Sequence, residues 1–173
     1  VEERPRAIET LHIAGRAALE RGAPETAARY LALARGLLGE SDWSSSFELT
    51  FSIHLRSAEA AFQLRQFDLA LQILEVAERQ ELDPLRAAML IAHRITVYAV
   101  ARPEEATDLA FSSLQKFGIH WPRSPSLLRV WLDVLRTDWL LRGKLDQHGF
   151  SLEPRGDAAW LAPIGVLRAA AAP

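Results

Sequence analysis

The chain has 173 residues, a formal net charge of -2, 49% hydrophobic and 24% charged residues, and no cysteine. That length suits one domain with a core of its own, and the slightly acidic balance lacks the basic face that phosphate contacts require, which argues against a nucleic-acid binder. Without cysteine there are no disulfides and no thiolate metal sites, and a reducing, cytoplasmic compartment is the expected location.

Helix signals follow one another along the chain. Pro5 can occupy the first turn of a helix running to about Arg21, and Gly22 ends it. Pro24 opens the next at a position where a missing N–H costs nothing. Ser45 and Glu48 have the spacing of a capping box for a third helix, reaching about Leu64. After a fourth helix over about 67–79, Asp83 and Pro84 form an N-cap and first-turn pair. Pro103 with Glu104 and Glu105 starts a sixth helix, whose carboxylates suit its positive end, and Gly118 closes it. Ser124 and Pro125 start a seventh, over about 125–142 and closed by Gly143, and an eighth is expected over about 157–172. No stretch keeps a period of two, so no strand is predicted. The most apolar stretch, LLRVWLDVLRTDWLL, is interrupted by Arg129, Asp133, Arg136 and Asp138, so no membrane span is expected. Its acids as well as its bases argue against an interfacial helix, and packing on the preceding helices is expected.

Links are short at 21–24, 65–66 and 101–103, and longer at 39–45 and 80–83. Short links make antiparallel neighbours. The prediction is three hairpins, over about 5–38, 45–79 and 84–117. The second helices also repeat: Ala27-Leu31-Ala34 aligns with Ala70-Leu74-Ala77 at an offset of 43 residues, and with Ala106-Ala110-Ser113 at a further 36. The first helices align at Ala14-Gly15-x-x-Ala18 and Ser57-Ala58-x-x-Ala61, and the third copy breaks there, at His93-Arg94-x-x-Val97. Small residues let two helix axes approach while the larger neighbour fills the groove beside them. This arrangement resembles the tetratricopeptide repeat, whose period is about 34 residues, with insertions at the joints. The resemblance implies an all-α fold of antiparallel hairpins stacked as a right-handed solenoid of seven or eight helices, in a single domain.

A second resemblance covers about residues 12–143. Trp43, Phe47-Glu48-Leu49, His54-Leu55, Ala58-Glu59, Phe67 and Ala70 are similar to a block found in large bacterial signalling proteins. Asp83, Arg86, Arg102-Pro103-Glu104-Glu105-Ala106, Phe117-Gly118-Ile119, Trp121-Pro122, Leu135-Arg136-Thr137 and Leu141-Arg142-Gly143 fit the same block. Those proteins carry an AAA-like or STAND-type ATPase module, often after a serine/threonine kinase domain and often before a sensor histidine kinase. A tetratricopeptide-like array follows the ATPase, and this chain resembles its start. The chain departs from the family at two hairpin turns, where Arg65-Gln66 and Ala101-Arg102 stand in place of glycine. The resemblance, together with the absence of a starting Met, implies a fragment of a longer protein.

Few residues offer chemistry. Arg142-Gly143-Lys144-Leu145 lacks the leading glycine and the hydroxyl residue of a phosphate-binding loop. His12, His54, His93, His120 and His148 have no metal-ligand spacing, and His54 is expected to be packed or capped near a joint. No catalytic residue, cofactor or metal is therefore expected. The candidate functional surface is the concave face, lined in such arrays by the first helix of each hairpin. The repeat register places Glu9, His12, Arg16 and Glu20 there from the first copy. It places Ser52, Leu55, Glu59, Phe62 and Gln63 from the second, and Ile91, Ile95 and Tyr98 from the third. Such a face would bind a protein or peptide, or neighbouring domains of the same chain, with Phe62 and Tyr98 as anchors and Arg16 and Glu59 orienting the guest. The alternative is a small-ligand or effector sensor with a pocket near the third hairpin and the seventh helix.

Overall fold

The structure, a computed structural model, describes residues 3–116 and the single residue Leu132. The described residues form seven helices and no strand: α1 (Glu3–Glu20), α2 (Pro24–Leu37), α3 (Asp42–Ser45), α4 (Phe47–Gln63), α5 (Phe67–Glu78), α6 (Pro84–Ala101) and α7 (Pro103–Lys116). The helices expected over about 125–142 and 157–172 fall outside them, save for Leu132.

Local chemistry accounts for most boundaries. Proline sits in the first turn of α2 and α6 and opens α7. Asp83 caps α6, its Oδ1 accepting from the backbone N–H groups of Leu85 and Arg86 at 2.9 and 3.0 Å. The turn after α1 puts Gly22 in the left-handed region (φ 70°). Its N–H donates to the Leu19 carbonyl and that of Ala23 to the Ala18 carbonyl, closing the helix in a Schellman motif. The turn after α4 repeats this bond for bond, from Arg65 to Phe62 and from Gln66 to Ala61. There the left-handed position belongs to an arginine, Arg65 (φ 59°).

One expected boundary differs. The capping box at Ser45 and Glu48 does not form. Instead α3 precedes a break at Ser46, and α4 begins at Phe47. Ser45 Oγ donates back to the Ser41 carbonyl, while the buried Asp42 organises the joint. Asp42 Oδ2 accepts from the Gly39 N–H at 2.6 Å and from the Arg4 guanidinium, and Thr50 Oγ1 donates to the Asp42 carbonyl at 3.2 Å. The start of α1 is thereby tied to the joint between the first two hairpins.

Helices pair as the short links require, α1 with α2, α4 with α5 and α6 with α7. Between pairs, α2 lies on α4 and α5 on α6, and α4 also meets α1 and α6. All nine repeat positions of the second helices, from Ala27 to Ser113, are buried. The approach is closest at Gly15, where a Cβ would lie 2.6 Å from Leu31 Cγ. Ile53 of α4 packs with Ile8 and Ala34, and Ala60 with Leu19, Ala27 and Leu31. The opposite side of α4 contributes Phe51, Leu55, Ala58 and Ala61 to the core shared with α5 and α6. α4 is thus the wall common to all three hairpins. His54 is buried within it, its Nδ1–H donating to the Thr50 carbonyl at 2.8 Å and its ring centroid 4.8 Å from that of Trp43.

Candidate functional site: the groove between α4 and α6

Antiparallel partners within a hairpin bury their small residues against each other, which leaves the first helices of neighbouring hairpins only lightly packed. Between α4 and α6 this opens two adjoining cavities. The larger, about 380 Å³, has apolar walls of Phe51, Leu55, Leu85 and Met89. Its polar lining is Glu48, Ser52, Arg56, Glu59, Arg86 and His93. The smaller, about 240 Å³, is walled by Ala58, Phe62, Leu74 and Val97, with Gln63 and Thr96 at its polar edge. Glu59 and His93 line both and mark their junction. The groove reaches solvent, since Met89 is 42% exposed and Glu48 is exposed as well.

The charges along it are paired. Arg56 Nη1 donates to Glu59 Oε2 at 2.7 Å. Arg86 bonds to Glu48 across the groove and to Asp83 on its own helix, and its guanidinium lies 5.3 Å from the centre of the Phe47 ring. His12 of α1 joins the same face through a 2.9 Å hydrogen bond between Nε2 and Ser52 Oγ. Burial lowers the pKa of His12, and the positive charges of Arg16 and Arg56 lower it further against a smaller opposing effect of Glu9. Burial likewise lowers that of His93, opposed by Glu59 and aided by Arg56. Both imidazoles are held toward the neutral form. Among the described residues no group of three or more histidines and acids is placed to hold a metal ion. No helix there is long and apolar enough to cross a membrane.

The residues expected on this face divide by hairpin. Ser52, Leu55, Glu59, Phe62 and Gln63 line the groove, although Leu55 is also a core residue at 7% exposure. From α1, Glu9, Arg16 and Glu20 are exposed but line neither cavity, and Arg16 pairs with Glu20 at 3.5 Å. Only His12 reaches in, through Ser52. From α6 the expectation fails. Ile95 is buried (1% exposed) in the core between α6 and α7, Ile91 packs against that core, and Tyr98 lies against Arg94 on the same helix. Leu85, Arg86, Met89, His93, Thr96 and Val97 line the groove instead.

The physical reason is the third turn. A single residue, Arg102, joins α6 to α7, with its N–H on the Tyr98 carbonyl and no left-handed position. The Schellman turns of the first two hairpins take up more chain. The register carried over from the second helices is therefore one residue out in α6, where the buried pairs are Phe51/Ala88, Ile53/Leu90, Ala58/Ile95 and Ala60/Val97.

No family model, curated protein or solved structure matches the chain.

Proposed function

We propose that this chain is a non-catalytic scaffold for protein–protein interaction or signal transmission. It is built as a tetratricopeptide-like, right-handed array of hairpins within a larger bacterial, cytoplasmic signalling ATPase or kinase. The observation that carries the reading is the groove between α4 and α6, open to solvent and walled by apolar side chains with paired charges along it. Grooves that mix apolar anchoring with fixed polar groups suit protein segments. The matching small-residue contacts in three successive hairpins support the array.

The test is a photocrosslinking amino acid placed at Met89 of the protein in the cells that make it. Adducts should form with a segment of another protein, or of a distant part of the same chain, and should vanish when Arg56→Glu reverses a charge in the lining of the larger cavity. Adducts that ignore that change would count against the groove.

A second reading draws on volume. About 380 Å³ lies within the roughly 300–1,000 Å³ of small-molecule sites, so an effector sensor is the alternative, with its pocket between the second and third hairpins. Native mass spectrometry separates the two. A small molecule retained by the purified chain and lost on Met89→Arg would favour the sensor.

A further inference from the structure

We propose that the groove between α4 and α6 takes an amphipathic helix of a partner protein, uncharged on its contacting face, with two apolar side chains two turns apart. The proposal rests on the interaction reading above and names the occupant.

Spacing selects a helix. Leu55 belongs to the larger cavity and Phe62 to the smaller, seven residues further along α4, which at 1.5 Å per residue separates the two by roughly 10 Å. On an extended strand, side chains of one face recur about every 7 Å, so the second and fourth residues on fall short of and beyond that distance. On a helix, positions i and i+7 share a face and lie about 10.5 Å apart. A guest helix running along the groove therefore fills both cavities without distortion.

Charge selects the chemistry of its face. The cavities are lined by two arginines and two glutamates, and these already pair, Arg56 with Glu59 and Arg86 with Glu48. A charged guest side chain would be desolvated beside groups whose charge is already met, which costs more than it returns. Two neutral polar groups are left over, Gln63 at the edge of the smaller cavity and His93 at the junction. His93 lines both cavities, and among the described residues its ring makes no hydrogen bond. The guest residue over that junction, at i+3 or i+4, is then a neutral hydrogen-bonding one such as Gln, Asn, Ser or Thr.

The experiment pans a phage-displayed library of random peptides, about 15 residues or four helical turns long, on the purified 173-residue chain. Recovered peptides are then measured by fluorescence anisotropy. The expected peptides have large apolar residues seven apart, no charge on the face between them, and affinity nearly flat from low to high salt. Met89→Arg should fill the larger cavity and Thr96→Lys the smaller, each raising Kd by about tenfold or more. Should either variant lose its helical circular dichroism, Met89→Gln and Thr96→Gln take their place. Peptides sensitive to these variants but alternating in pattern, or charged and salt-dependent, overturn the helical, neutral occupant and leave the interaction reading standing. A library that yields no peptide sensitive to them overturns both.

Discussion

Two glycines in neighbouring helices have opposite reasons to be there. At Gly15 a methyl group would meet Leu31 Cγ at 2.6 Å, and Leu31 is fully buried against the second hairpin, so its branch point cannot swing aside. At Gly36, near the end of α2, nothing lies within 4 Å. Alanine gains helix propensity over glycine by up to about 1 kcal/mol at either place, but overpacking costs about 1–3 kcal/mol at the first only. Gly36→Ala should therefore raise the urea midpoint and Gly15→Ala should lower it, and equal shifts of one sign would show that α1 and α2 are not in that contact. The small residues of the hairpin contacts were legible in the sequence because spacing alone reveals them. What surrounds His54 was not, because its Trp43 neighbour lies across a helix break. Burial, aided by the charge of Arg35, lowers the pKa of His54 against the opposing bond to the Thr50 carbonyl. His12 and His93 are lowered too. Above the ordinary imidazole value of 6.5 these rings are neutral in both the folded and the unfolded chain, and the stability is whole. Below it the unfolded chain takes the proton first, so stability falls as pH drops from there toward the lowered folded values. Urea unfolding between about pH 8 and 5 should show that loss, with a shallower slope in His54→Gln. A stability that rises on acidification over the same range would contradict the burial of these rings.

At the scale of the element, turns decide what the helices present. Proline marked the starts of α2, α6 and α7 in the sequence, Gly22 the end of α1 and Asp83 the cap of α6, while the closing glycines expected at 118 and 143 lie outside the described residues. The register of α6 was not legible, because it depends on the third turn being shorter than the second, and neither Arg102 nor the left-handed Arg65 gives any sign of that difference in the sequence. Nor was the joint at Asp42, since its partner Arg4 is 38 residues away and a local capping box competes for the same stretch. The Schellman turns after α1 and α4 share their hydrogen bonds and differ in the residue that bears the positive φ. A side chain in that conformation costs about 1–2 kcal/mol, partly offset by the extra freedom glycine has in the unfolded chain. Arg65→Gly should stabilise the protein by roughly 0.5–1 kcal/mol, read as a higher thermal midpoint at unchanged helical content. Arg65→Ala should gain nothing, because it keeps the strained conformation. A gain in both variants would assign the effect to the lost charge and not to the backbone.

For the whole molecule, the question is whether three hairpins behave as one core or as a stack of neighbours. α4 touches both flanking hairpins, whereas α1 and α2 join only the contacts on the first side. In a stack, stability is a sum of each unit and its interfaces, so a local loss spreads to adjoining units and fades beyond them. Ile53 is a suitable probe: it is fully buried on α4 and packs with Ile8 of α1 and Ala34 of α2, away from the core that α4 shares with α5 and α6. Ile53→Ala should cost about 2–5 kcal/mol of packing. Hydrogen exchange followed by mass spectrometry should then show faster exchange in α1, α2 and α4, with much smaller changes in α6 and α7. In the parent chain the interior amides of α4 should exchange more slowly than those of α1, because opening α4 disrupts two interfaces and opening α1 spares the one with α6. The same division bears on the groove. If α6 keeps its protection while α4 loosens, the two walls move as separate units, and a guest helix held between them would slow exchange in both. Uniform acceleration across all the described helices in Ile53→Ala would instead mean a single cooperative core, and the hairpins could not then adjust independently to what they hold.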